Sequence, residues 1–167
     1  MKELIYNQRQ IPKEQWRYGL RSSAATGCGW IATHNALRLL GYHMDIPALI
    51  RTYERQLPLF HGNGGTSFWG PALLFRRWGF PVEVTIRREE FDAFARRQDV
   101  CILYYFWRQK LRMGAHFVCL HYKDGEFIGY NTYRNSTGPD HYGESLQEFL
   151  KQKKYFGPIL IGIRDKR

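Results

Sequence analysis

The sequence predicts an α+β fold, a helical half followed by an antiparallel sheet, on three observations. Helix-type apolar spacing with cap and stop signals dominates up to about residue 97. From about residue 98 the pattern changes to dense apolar runs of strand length. Between two of those runs lies Asp124-Gly125, a strong two-residue hairpin signal. The expectation is one domain over 1–167, with a helical half at about 20–97 and a sheet half at about 98–167 sharing one core.

The first 19 residues read as an irregular lead-in. Residues 27–40 read as a helix that Gly41 closes. Ile31, Asn35 and Leu39 recur there at spacing four, with Ala32 and Ala36 beside them, so most of its surface is apolar and a buried central helix is predicted. Asp45 caps a second helix, 46–56, with Pro47 tolerated in its first turn. His61-Gly62-Asn63-Gly64-Gly65 is a loop without the Gly-Lys-Ser/Thr ending of a phosphate-binding loop, which argues against nucleotide binding there. A third helix opens at Thr66 or Ser67 and runs to about Trp78, with Gly79 as its stop. A short strand, 82–86, leads to a charged helix at about 89–97. Strands follow at 100–107, 115–122 and 126–132. Ser145-Leu146-Gln147-Glu148 is a capping box that starts a helix running to about Lys153, and 158–164 is a last strand.

Composition narrows the function classes. Of 167 residues, 44% are hydrophobic and 24% charged, which is globular rather than disordered. No apolar run approaches the roughly 18–20 residues of a membrane span, and the polar start broken by Pro12 is not a signal peptide, so a cytoplasmic protein is expected. Cys28, Cys101 and Cys119 are too few and too scattered for a disulfide framework or a zinc site. His61, His121 and His141 form no metal-ligand spacing with a carboxylate, so no metal or other cofactor is expected. The net charge of +10 favours an acidic partner. It is spread over pairs such as Arg76-Arg77 and Arg96-Arg97 with no nucleic-acid signature, which argues against nucleic acid.

One constellation carries chemistry. Cys28 lies between two glycines at the start of the central helix, where the helix N-terminus lowers a thiol pKa and small neighbours leave room for a substrate backbone. Cys101 and Cys119, in apolar strands, read as inert. A nucleophilic thiol needs a base, and His116, near the start of a strand just after Met113-Gly114, has the best address. A two-residue turn at Asp124-Gly125 sets Lys123 opposite Glu126 and, counting back, His116 opposite Tyr133. Asn131 is then a diagonal neighbour on the same face, about 7–8 Å away at the backbone. Its side chain is expected to accept the imidazole Nδ1–H and hold the ring toward the thiol, with the sulfur within about 4 Å of a ring nitrogen.

Gly27-Cys28-Gly29-Trp30 on a helix, then Gly114-Ala115-His116-Phe117-Val118, then Gly129-Tyr130-Asn131 resembles the papain-like cysteine peptidases. The interval from Cys28 to His116 (116 − 28 = 88) and that from His116 to Asn131 (131 − 116 = 15) fit the compact bacterial branch, the bacteriocin-processing peptidases that cut leader peptides after a double glycine. The resemblance implies a papain-like cysteine proteinase fold, with Cys28 as nucleophile, His116 as base and Asn131 as orienter. It also implies substrate contacts at Gly64, Gly65 and Gly114. The sequence departs from that family at position 22. The family places an oxyanion-binding glutamine six residues before the cysteine, and here that residue is Ser22. Ser22 or Ser23 stands as the replacement donor beside the Cys28 N–H. No transporter segment follows in the sequence, so an export role is not part of the expectation.

The expected activity is that of a stand-alone thiol hydrolase cutting a peptide or other amide bond through an acyl-enzyme. The alternatives are an acyltransferase using the same three residues, or a peptide-binding module of the same fold without turnover. The expected partner is a peptide or protein, acidic if the cationic segment Arg108-Gln109-Lys110-Leu111-Arg112 leans over the cleft.

Overall fold

Helix α2 (Cys28–Leu39) is the centre of the molecule, and its sequence explains why. Gly29 to Leu37 are all buried, so it has no solvent face. Ala32 and Ala36 pack on Phe117, Cys119 and Tyr130 of the sheet, while Trp30 and Ile31 pack on the other side with Tyr18, Leu49, Tyr53 and Leu74. Gly41 ends it at φ +86°, a left-handed turn in which the Tyr42 N–H bonds to the Leu37 carbonyl. The one-turn helix α1 (Ser23–Thr26) leads directly into α2.

The structure is a computed structural model that describes residues 4–56 and 66–167. Helix α3 (Ile46–Gln56) covers the far side of α2, and α4 (Gly70–Arg77) lies beside it. The third helix therefore starts at Gly70 rather than at Thr66 or Ser67, with Pro71 in its first turn, where its missing N–H costs nothing.

Among the described residues, the large sheet has six strands in the order β3-β8-β4-β5-β6-β7, with every neighbouring pair antiparallel. These are β3 (Val82–Thr85), β4 (Val100–Gln109), β5 (Arg112–Lys123), β6 (Glu126–Tyr130), β7 (Asp140–Gly143) and β8 (Phe156–Ile163). Strand β3, from the helical half, thus forms the edge beside β8, the last strand.

Alternation along β4 and β5 divides the core in two. Ile102, Tyr104, Phe117 and Cys119 face α2. Cys101, Leu103, Tyr105, Val118 and Leu120 face the opposite side, covered by α5 (Phe91–Arg96) and α6 (Leu146–Gln152). The sheet therefore carries helices on both faces. Ser145 Oγ accepts the Glu148 N–H at 3.2 Å, half of the capping arrangement read from the sequence. Strand β7 has only four residues with a mixed burial pattern and was not legible as a strand.

The lead-in is more ordered than its composition suggests. It holds a single 3₁₀ turn at Gln8–Gln10 and a small hairpin, β1 (Arg17–Tyr18) with β2 (Arg21–Ser22). Asn35, buried in the middle of α2, anchors it: the Asn35 side chain accepts the Ile5 N–H at 2.8 Å and donates to the Ile5 carbonyl at 2.9 Å.

Candidate functional site

Cys28 is the first residue of α2 and is half-buried. The N–H groups of Phe117, Gly29 and Cys28 itself lie toward its sulfur and favour the thiolate, but burial outweighs them and pushes the thiol above its ordinary range. The helix terminus alone predicts the opposite sign. Desolvation wins because Cys28 packs against the apolar cluster that contains Ala32, Tyr104 and Phe117. The flanking glycines do not leave open space either. A Cβ on Gly27 would lie 2.5 Å from the Ser23 carbonyl oxygen, and one on Gly29 would lie 2.6 Å from Thr66 Oγ1. These glycines permit close packing around the thiol.

His116 is on β5, opposite Tyr105. Its Nε2–H donates to the backbone carbonyl of Asn131 at 2.6 Å. A carbonyl only accepts, so Nε2 carries the proton and Nδ1 of the neutral ring keeps its lone pair. Burial holds the imidazole below its ordinary pKa; the Asn131 carbonyl opposes this and the Arg134 charge adds to it.

The hairpin count holds from Lys123↔Glu126 as far as Cys119↔Tyr130. There β6 ends, and Asn131 takes φ +66°. Asparagine tolerates that left-handed conformation better than most residues. The turn removes Tyr133 from its place opposite His116 in the ladder and presents the Asn131 carbonyl to the ring. The Asn131 side chain goes elsewhere. Its Oδ1 accepts the Gln8 N–H at 2.8 Å and its Nδ2 donates to Gln8 Oε1 at 3.2 Å. Gln8 Nε2 in turn donates to the Ala24 carbonyl at 3.2 Å, on α1. The sequence-based assignment is thus corrected in two respects: the ring is held through Nε2 rather than Nδ1, and by the Asn131 backbone rather than its amide.

The thiol meets β5 at the Phe117 N–H, on the face where α2 packs. His116 has the opposite parity, and its ring lies edge-on to Tyr105 with centroids 6.0 Å apart. The thiol thus meets β5 one residue past His116, whose own ring bond goes to the Asn131 carbonyl.

The proposed oxyanion donors are placed differently from one another. Ser23 is fully buried, and its Oγ accepts the Trp30 Nε1–H at 3.2 Å, which makes it an anchor for that indole. Ser22 is half-buried and precedes α1 without capping it through its side chain. Gly64 and Gly65 lie outside the described residues. Gly114 packs closely on Trp107: a Cβ there would lie 2.6 Å from that ring. Cys101 and Cys119 are fully buried, and burial raises both thiols. His141 pairs with Glu126 at 2.8 Å on the surface, and no group of metal-ligating side chains occurs among the described residues.

His116 lines a cavity of about 500 Å³ together with Gln8, Ala24, Ala25, Asn131 and aromatic side chains of the sheet half. The sequence reading missed Asn7, Gln8 and Arg9, which reach this cavity from the lead-in. Their only signal was a polar cluster in an otherwise unpatterned segment.

Among solved structures, the chain is similar to the peptidase domain of Streptococcus ComA, a bi-functional ABC transporter involved in a quorum sensing pathway. The TM-score is 0.56 at 13% identity, over 85% of this chain and 93% of that one. The mixed fold with its large antiparallel sheet thus matches the fold of that peptidase domain. No family model matches the sequence, and no curated protein matches it. Among the described residues, no helix is long and apolar enough to cross a membrane.

Proposed function

We propose that this chain is a papain-like thiol hydrolase that cuts a peptide or other amide bond, with Cys28 as nucleophile, His116 as base and Asn131 as the residue that holds the base. The observation that carries this reading is the position of the Cys28 sulfur, at the N-terminus of α2 and against the N–H of Phe117, one residue past His116, on a peptidase-domain fold. The free protein stores the pair as neutral thiol and neutral imidazole, since burial disfavours both charges. In the reaction the unprotonated Nδ1 takes the thiol proton as sulfur attacks the carbonyl carbon. The same proton passes to the leaving amine, and water then hydrolyses the thioester to acid and free thiol. The N–H of Cys28 serves as one oxyanion donor.

A second reading has its own support. A thiol held above its ordinary range in the free protein suits a module of this fold that binds peptides without cutting them. Incubation with a peptide library, followed by mass spectrometry, separates the two. Products formed by the native protein and absent with Cys28→Ala support the hydrolase. Capture of peptides without products by both proteins supports the binding module.

A further inference from the structure

The cavity on the His116 side carries two guanidinium groups that no ion pair among the described residues neutralises. Arg9 and Arg134 both line it, and both side chains are exposed. Among the described residues neither forms an ion pair, and no aspartate or glutamate lines the cavity. Arg134 lies over the Trp107 ring, 5.7 Å from its centroid, which leaves its N–H edge available.

The two arginines are also held in register. Asn7 is buried, its Nδ2 donates to the Arg134 carbonyl at 2.8 Å, and its Oδ1 accepts the Arg9 N–H at 2.9 Å. One buried side chain therefore ties together two segments far apart in the sequence, each bearing one cation at the cavity rim. Tyr105 and Tyr155, stacked at 4.1 Å, supply a flat wall. Lys153, over the Tyr133 ring at 5.1 Å, adds positive charge on that side. Asp140, which does not line the cavity, accepts the Ser136 Oγ–H at 2.7 Å.

We propose that this cavity binds a carboxylate of the substrate between Arg9 and Arg134, with the adjoining flat group against the aromatic wall. Guanidinium recognises carboxylate through paired N–H donors, and two such groups beside an aromatic surface select an anionic ligand over its neutral isostere. The carboxylate comes either from a free peptide C-terminus or from an acidic side chain. That it belongs to a peptide substrate rests on the hydrolase reading; the binding itself does not.

The test uses the Cys28→Ala protein, so that binding is measured without turnover, with three small probes followed by calorimetry and by the imidazole NMR signals of His116. Hippurate presents a terminal carboxylate, N-acetylglutamic acid α-amide a side-chain carboxylate, and hippuramide none. At least one carboxylate probe is expected to bind about tenfold tighter than hippuramide at low salt, and the tighter of the two identifies the source. The preference should fade at high ionic strength. It should be lost in the Arg9→Gln/Arg134→Gln double variant, whose changes are on exposed side chains. It should survive serine at Arg108, Lys110 and Arg112, none of which lines the cavity that holds His116. Equal binding of all three probes, or a preference that survives loss of both arginines, overturns the proposal. Carboxylate binding by a protein that cuts no peptide would count against the hydrolase reading alone.

Discussion

The backbone carbonyl of Asn131, not its side chain, receives the His116 Nε2–H, at 2.6 Å. The interaction depends on the left-handed conformation at residue 131, since an extended residue there would continue β6 and pair with β5. The side-chain amide acts one step back, by fixing the turn to Gln8.

This arrangement gives an unusual order of substitution effects. Asn131→Gly keeps the carbonyl and tolerates φ +66°, whereas Asn131→Ala adds a left-handed penalty of about 1 kcal/mol. Both lose the bonds to Gln8. Asn131→Gly is therefore expected to retain more turnover than Asn131→Ala, by roughly the fivefold to tenfold that this difference represents. Equal loss in both variants, measured as kcat/KM on one peptide, would place the orienting role in the amide.

Gln8 is a positioning residue on the same argument. It joins the Asn131 turn to the Ala24 carbonyl of α1, and so links the sheet side of the site to the segment that precedes Cys28. Gln8→Ala should lower kcat more than it raises KM and should move the NMR titration of His116. Gln8→Glu, which keeps an acceptor for Asn131 Nδ2 but loses the donor to Ala24, should fall between. A lowered kcat with an unmoved His116 titration would indicate a merely structural role.

The buried thiol makes a pH prediction with a definite sign. Burial raises the Cys28 pKa, so the reactive thiolate is scarcer at neutral pH than for an ordinary cysteine. Alkylation of Cys28 by iodoacetamide should be slow at pH 6 and should keep rising beyond pH 9, where a model thiol approaches its plateau. A plateau near neutral pH would mean that the imidazole already stabilises the thiolate in the free protein.

His116 supplies the matching stability prediction. Its folded pKa is depressed, so below pH 6.5 the unfolded chain binds more protons than the folded one. The stability that the neutral ring contributes is complete above the ordinary histidine pKa and is lost as pH falls through the folded value. In thermal melts from pH 7 to pH 5, the native protein should lose more Tm than His116→Gln does. Parallel losses would mean that the ring is as well hydrated as in the unfolded chain.

What the sequence disclosed was what local patterns encode. The apolar surface of the central helix, the Gly41 stop, the Asp124-Gly125 hairpin and the Ser145 cap are each set by a few adjacent residues, and each lies where it was read. The site was less legible because its bonds run between distant segments. Gln8 meets Asn131 across 123 positions, and no periodicity marks such a contact. The thiol pKa was misjudged for a related reason. The helix terminus is visible in sequence, whereas the desolvation that outweighs it comes from burial against a cluster that the sheet completes.

The glycines around Cys28 allow the packing claim to be tested directly. A methyl group on Gly27 would meet the Ser23 carbonyl oxygen at 2.5 Å, and that oxygen is fixed by the α1 backbone. Gly29 differs, because its obstruction is the Thr66 side chain, with Oγ1 at 2.6 Å and Cβ at 2.7 Å. Each alanine variant should cost about 1–3 kcal/mol through overpacking, or roughly 2–10 °C in Tm. Gly29→Ala should recover part of that loss when Thr66→Gly removes the obstruction, even though the Thr66 bond to Tyr18 goes with it. Gly27→Ala would meet that backbone oxygen and, at 2.7 Å, Trp30 Nε1, and should not be rescued by Thr66→Gly. If Thr66→Gly rescued neither variant, or both, Gly29 would not be packed against Thr66 as the structure has it, and the space beside the thiol would be open to substrate after all.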